Sequence, residues 1–152
     1  MFYISGFYKF KKIYQIKKAK KLLTKIFDKY KIRGTIIISI EGINGTISSN
    51  NKNLKIVINK IKKIFNFRNF DSENLSTNKF QIFHKCKVKI KKEVVPMGIK
   101  IFKRTTKKHL EPIKWNKIIT SKKTLLIDAR KPFEHKVGTF KGSINPETNN
   151  FR

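Results

Sequence analysis

A chain of 152 residues has room for one ordinary domain, or for a small domain and part of a second. Its 37 basic residues face 9 acidic ones, and the formal charge of +28 predicts strong, salt-dependent attraction to nucleic acid. No apolar run approaches the roughly 20 residues of a membrane helix, the first residues lack the pattern of a signal peptide, and the single cysteine, Cys86, excludes an internal disulfide framework. A soluble, cytoplasmic protein with no membrane partner is expected. Only five of the basic residues are arginine, and isoleucine and asparagine abound, so part of the charge reflects codon bias. Charge here predicts a partner class and not a reaction.

In chain order, residues 4–10 read as a strand with Ile4, Gly6, Tyr8 and Phe10 on one face and Ser5, Phe7 and Lys9 on the other. From residue 13 to 31, Ile16, Ala19, Leu22, Leu23, Ile26, Phe27 and Tyr30 recur at helical spacing behind a lysine-covered outer face. Residues 33–40 form a strand that leads into Glu41-Gly42-Ile43-Asn44-Gly45, a tight turn in which Asn44-Gly45 is the hairpin signal. A turn does not need a carboxylate, so Glu41 stands out. A short strand over residues 45–49 follows, then a helix capped by Ser49-Asn50-Asn51 and buried through Leu54, Val57, Ile58, Ile61, Ile64 and Phe65.

After a loop rich in Asn, Asp and Ser, residues 79–95 alternate. Phe80, Ile82, His84, Cys86, Val88 and Ile90 share one face, and Lys85, Lys87, Lys89 and Lys91 the other. Strand, helix, strand, strand, helix, strand is the split βαβ or ferredoxin-like order: an α+β domain with an antiparallel sheet and both helices on one face. The lysine ladder, with Phe7 and Lys9, is expected on the open face. Basic side chains beside an aromatic suit a single-stranded RNA loop, although a ladder of lysines is also what a solvated face looks like. His84 and Cys86 are expected in the core, and with so few cysteines and histidines no metal site is indicated.

Pro96-Met97-Gly98 breaks the pattern. The domain organisation is therefore residues 1–96, a linker over residues 97–110, and the start of a second, α/β unit over residues 111–152. In the latter, Leu125-Leu126-Ile127 reads as a parallel-type strand with Asp128-Ala129-Arg130 at its carboxyl end, where open α/β sheets place their sites. Asp128 and Arg130, two residues apart, are expected to form an ion pair that fixes the loop. Glu134 opens the helix that follows.

Phe7-Tyr8-Lys9-Phe10, Glu41-Gly42-Ile43-Asn44-Gly45-Thr46-Ile47-Ser48, Lys89 to Val95 with Gly98 and Ile99, Ile127-Asp128-Ala129-Arg130 through Phe133-Glu134, Gly138 to Gly142 and Asn145-Pro146 together resemble the rhodanese-related tRNA uridine hydroxylases. The resemblance covers nearly all of the chain. It implies a ferredoxin-like domain joined to a rhodanese-like one, and oxygen-dependent conversion of the wobble uridine of tRNA to 5-hydroxyuridine. Molecular oxygen is then a co-substrate, the anticodon arm of tRNA the partner, and no cofactor is evident.

Glu41 and Asn44 become candidates for polar contacts to tRNA, Phe7 for stacking, and Lys9, Lys87 and Lys89 for phosphates, while Asp128, Arg130 and Glu134 are rhodanese scaffold. In that family the catalytic cysteine lies in a loop that this sequence does not contain, so no catalytic residue is assigned. The chain is expected to be a fragment or a truncated gene product that supplies the tRNA-binding domain. Two alternatives are a non-catalytic basic tRNA-binding module or relic, and a fragment of a rhodanese-type sulfurtransferase.

Overall fold

The computed structural model describes residues 1–95 and 110–148. The chain divides into two compact units, Met1–Val95 and Pro96–Arg152. The expected linker over residues 97–110 lies, except for Leu110, outside the described residues.

The first unit runs β1 (Phe2–Phe10), α1 (Ile16–Lys29), β2 (Arg33–Ser39), β3 (Gly42–Ser49), α2 (Asn51–Ile64), β4 (Ser72–Asn78) and β5 (Cys86–Ile90). Its five-stranded sheet has the order β4-β1-β3-β2-β5. The first four strands pair antiparallel with one another, and β5 lies parallel to β2. The sheet is thus mixed, which corrects the purely antiparallel expectation.

Two elements account for the difference. The Asn, Asp and Ser-rich segment expected as a loop is β4, paired along the free edge of β1 from Phe2↔Asn78 to Tyr8↔Ser72. The alternating stretch expected as one strand over residues 79–95 pairs only over Cys86–Ile90, because its partner β2 begins at Arg33 and the ladder runs from Gly34↔Cys86 to Ile38↔Ile90. Upstream of that ladder Phe80, Ile82 and His84 are exposed, so His84 does not enter the core as expected.

Both helices cover one face of the sheet, and they do so with the stripes their sequences predict except for Leu22, which the structure leaves 43% exposed. From α1 come Ala19, Leu23 and Phe27, and from α2 Leu54, Val57, Ile58 and Ile61. They meet Phe7, Ile36, Ile38, Ile43, Ile47 and Val88 in a single cluster. Leu23, Phe27, Ile36, Ile38, Ile43, Ile47, Val57 and Ile61 are fully buried. Each such side chain contributes roughly 1.5–3 kcal/mol relative to exposure. Asn50 caps α2 as expected, its Oδ1 accepting from the Asn53 N–H at 2.8 Å.

The β2–β3 turn is shorter than the sequence suggested. Ser39 pairs with Gly42, which leaves Ile40 and Glu41 as the two loop residues. Gly42 has φ +153°, and a side chain there would collide with the Lys9 carbonyl. Asn44 and Gly45 are therefore strand residues and not the turn. Gly45 is required for a different reason, since a Cβ would stand 2.9 Å from the Thr35 carbonyl oxygen and 3.1 Å from Ile36 Cγ1.

Among the described residues of the second unit, α3 (Pro112–Ile119) precedes and α4 (Pro132–Val137) lies between the two partners of one parallel bridge, Ile127↔Ile144. Proline opens each helix, where its missing N–H costs nothing. None of the described residues of this unit is buried. Among the described residues no helix is long and apolar enough to cross a membrane.

Candidate nucleic-acid interface

Strand registers determine which side chains share the face not covered by helices. Tyr8 opposes Ser72 on one side and Asn44 on the other, Asn44 opposes Ile37, and Ile37 opposes Lys89. One transverse row of the face is therefore Ser72–Tyr8–Asn44–Ile37–Lys89. The adjacent row is Asn74–Gly6–Thr46–Thr35–Lys87. With strands about 4.8 Å apart, Tyr8 and Lys89 stand at backbone positions roughly 14 Å from one another. Thr46, at the centre, is exposed, as are Lys87, Lys89 and Arg33. Phe10 follows Tyr8 on the same face, their rings packed edge to face at 5.9 Å. The arrangement is an aromatic pair on β1, a floor on β3 and β2 that is polar except for Ile37, and a basic margin on β5.

Of the six residues singled out from the sequence, three come together here: Asn44 and Lys89 in one row, Lys87 in the next. Phe7 and Lys9 belong to the opposite face. Phe7 is buried against the helices and stacks on Phe70 at 4.5 Å. Lys9 donates to Asp71 at 2.8 Å, and Asp71 also accepts from the Phe10 N–H at 2.8 Å, so this lysine is part of the joint between β1 and the segment before β4. The alternation of β1 was read correctly but its two faces were exchanged. Apolar residues occupy both, and only the side on which the helices pack decides which is interior. The aromatic residues of the open face, Tyr8 and Phe10, were the ones missed. Strand β3 carried the signal: its buried Ile43 and Ile47 stand opposite Lys9 and Ser5, which places Phe7 and not Tyr8 on the core side.

Glu41 has a structural partner. Its Oε1 accepts the backbone N–H of Val94 at 2.6 Å, and its own N–H donates to Ser39 Oγ at 3.0 Å. Val94 is buried at 1% exposure, so the carboxylate ties the chain leaving β5 back to the hairpin. The carbonyls of Glu41 and Ile40 accept from Lys11 and Ile13, which anchors the segment after β1 to the same two-residue loop.

Cys86 lies half-buried on the helix side of β5. Burial, with a further contribution from the nearby Asp28 carboxylate, pushes its thiol up to about 11. Near neutral pH it is a protonated thiol, the wrong form for a nucleophile.

In the second unit Asp128 and Arg130 form the expected ion pair, with Arg130 Nη2 and Nε donating to the two carboxylate oxygens at 2.6 and 2.9 Å. Arg130 Nη2 also donates to the Gly138 carbonyl at 2.6 Å, and Thr139 Oγ1 to Asp128 Oδ2 at 2.8 Å. The Arg130 guanidinium holds the Asp128 carboxyl well below its ordinary range and is itself raised in turn. Asn145 Nδ2 closes the loop onto the carbonyls of Asp128 and Arg130. Glu134 accepts from the Lys131 N–H at 3.2 Å and so caps α4. All three residues are used in holding loops.

A family model described as the UPF0176 acylphosphatase-like domain matches residues 2–94. The chain belongs to this family. Curated relatives extend the similarity over the second unit as well. A tRNA uridine(34) hydroxylase of Pelagibacter ubique is 59% identical over all of this chain and 51% of its own length. Another from Prochlorococcus marinus is 38% identical over 87% of this chain and 43% of its own, and one from Acinetobacter baumannii 32% identical over 98% and 47%. The chain thus spans about half the length of the curated relatives it matches. Among solved structures, an acylphosphatase from Bacillus subtilis matches 58% of this chain and 98% of its own with a TM-score of 0.43 and 11% identity. Full-length HypF, in a phosphate- and nucleotide-bound form, matches 62% and 13% with a TM-score of 0.42 and 14% identity.

Proposed function

We propose that this UPF0176 chain contributes the tRNA-contacting part of a wobble-uridine hydroxylase, and that the open face of its sheet receives unpaired bases of the anticodon arm. The similarity over the whole chain to tRNA uridine(34) hydroxylases supports the tRNA. The observation that carries the contact is the row Ser72–Tyr8–Asn44–Ile37–Lys89, which lines up an aromatic ring, an amide beside it and, beyond Ile37, an ammonium at the margin. A base stacked on Tyr8 or Phe10 would present its edge to Asn44, whose side chain can both donate and accept, while the phosphates follow Lys89 and Lys87. The whole protein's reaction is oxygen-dependent conversion of the tRNA wobble uridine to 5-hydroxyuridine. Residues 1–95 contribute binding and orientation to it. Cys86, protonated and turned toward the core, takes no step.

Binding of tRNA by the 152-residue chain across a salt series tests this reading. Tyr8→Ala with Phe10→Ala should weaken binding by about 1–3 kcal/mol for each base that stacks, with little change of salt slope. Lys87→Gln with Lys89→Gln should lower the slope of log K against log salt by roughly 1 to 2. If neither pair of changes alters binding, the open face is not the interface. Nucleoside mass analysis of tRNA from cells lacking the gene tests the reaction. A full-length tRNA uridine(34) hydroxylase should restore 5-hydroxyuridine and this chain alone should not. Restoration by this chain alone would make it a catalyst in its own right and overturn the division of labour.

A further inference from the structure

A second basic feature lies on the helix side of β5. Lys17, Lys20, Lys21, Thr24 and Lys25 of α1, together with Ile90 of β5, line an open groove of about 580 Å³. All four lysines are exposed, and among the described residues none takes part in an ion pair. Their spacing is unfavourable for the helix itself. Lys17, Lys21 and Lys25 succeed one another at four-residue intervals, so like charges stack along one face, and Lys17 sits in a first turn that holds no acidic residue. A cation there opposes the helix dipole. Codon bias explains why lysine is frequent. It does not explain why four converge on one groove while Asp71 and Glu73, on the far side of the sheet, hold Lys9 and Lys62.

The groove differs from the open sheet face in chemistry. No aromatic side chain lines it, so it offers a base nothing to stack on. It offers charge over a straight length, because Lys17 to Lys25 covers about 12 Å of helix axis. A double-stranded nucleic acid, with a charge for about every 1.7 Å of axis in the case of DNA, fills such a length more densely than a single strand does. Ile90 forms a floor along which lysine stems can lie while the ammonium groups reach outward.

We propose that the groove between α1 and β5 is a phosphate-backbone site for the base-paired stem of the same RNA whose unpaired bases occupy the open face. The proposal rests on the RNA reading given above. Strand β5 then separates two kinds of contact, with Lys87 and Lys89 serving the loop on one side and the α1 lysines serving the stem on the other.

Affinity of the full chain for an RNA hairpin, and for an unstructured RNA of equal length, tests the proposal. The variant is Lys17→Gln, Lys21→Gln, Lys25→Gln, and a control on α2 with the same loss of charge is Lys52→Gln, Lys55→Gln, Lys63→Gln. The groove variant should abolish the preference for the hairpin, lower its salt slope by roughly 2 to 3, and leave binding of the unstructured RNA little changed. The control should keep the hairpin preference. Removing like-charge pairs should leave the melting temperature equal or higher, so a folding failure would be visible.

Equal losses for both variants and both RNAs would reduce the effect to total charge and overturn the proposal. So would displacement of the hairpin by poly-glutamate at equal charge concentration, which would assign the groove to an acidic protein. If Tyr8→Ala with Phe10→Ala changes neither RNA while the groove variant loses the hairpin preference, the open-face reading fails and the groove stands.

Discussion

Residues 1–95 and residues 110–148 are ordered by different means. Among the described residues, all of the buried apolar side chains belong to the first unit, where two helices and five strands close around one cluster. In the second, Ile113, Leu125, Ile127, Phe133, Val137 and Phe140 are all more than half exposed, and the recurring contacts are polar ones around Asp128, Arg130, Thr139 and Asn145. A hydrogen bond contributes about 0.5–1.5 kcal/mol net, and ordering a residue's backbone costs about 1–2 kcal/mol. A polar network without apolar burial can therefore select a loop conformation but cannot stabilise a domain. Shape in the first unit comes from burial, and in the second from a few well-aimed donors.

The strongest way to break this comparison is to remove core volume. Phe27 is fully buried at the carboxyl-terminal end of the α1 stripe. Phe27→Ala should cost about 3–5 kcal/mol. Because Trp115 is the only tryptophan and lies in the second unit, the two units can be followed separately. Far-UV circular dichroism in a urea titration should lose its transition at lower denaturant, while Trp115 fluorescence keeps its wild-type profile. Coincident shifts of both signals would mean that the two units unfold as one.

Next in size is the tie between Glu41 and Val94. Glu41→Ala leaves a buried N–H without its acceptor and should cost about 1–3 kcal/mol. Glu41→Gln keeps an acceptor oxygen and should recover most of that. If Glu41→Ala instead leaves stability unchanged and weakens tRNA binding, the carboxylate serves the RNA directly, as its position in the sequence suggested.

These residues also show what could be read beforehand. Both helices were legible because apolar side chains at three- and four-residue spacing admit a single buried side. The strands were harder. In β1, Phe7 and Tyr8 are equally good interior residues, and the choice between them depends on β3 and on Phe70, more than sixty residues away. β4 has no apolar pattern of its own: Ser-Glu-Asn-Leu-Ser-Thr-Asn becomes a strand because β1 offers it an unpaired edge. Asn44-Gly45 looked like a turn because that pair is a strong local signal. The close passage of Thr35 and Ile36 prevailed and placed it in a strand. Asp128 and Arg130 were legible as an ion pair, since two residues apart at a strand end can face each other. That Gly138, Thr139 and Asn145 complete their network was not, because those partners come from a loop whose path no local pattern specifies.

Asp128→Asn tests the polar side of the comparison and should act only locally. It removes the charge that Arg130 faces, so amides over residues 138–145 should exchange faster with solvent while those of residues 1–95 are unaffected. The wild-type loop adds a pH signature. A carboxyl held below its ordinary value of 3.8 contributes stability that is present above that value and lost as pH falls through the depressed one. Exchange over residues 138–145 should therefore be insensitive to this group from neutrality down to about pH 4, once the intrinsic pH dependence of exchange is removed, and rise only in stronger acid. A rise near pH 5 would mean that the ion pair does not hold the loop.

Cys86 gives the smallest effect at neutral pH and the sharpest test of the claim that the first unit binds without doing chemistry. Its thiol is raised to about 11 by burial and by Asp28. The sign is that of a group whose protonated form is favoured in the fold: the contribution is complete below about pH 9, and it is lost as pH rises through 11. Cys86→Ala should therefore leave stability at pH 7 nearly unchanged and flatten the loss of stability above pH 9. Alkylation by iodoacetamide should follow the same titration, continuing to accelerate past pH 9 and levelling only near 11. An inflection below pH 8 would describe a thiolate stabilised by its surroundings. It would return Cys86 to consideration as a nucleophile and end the separation of binding from catalysis on which the comparison of the two units depends.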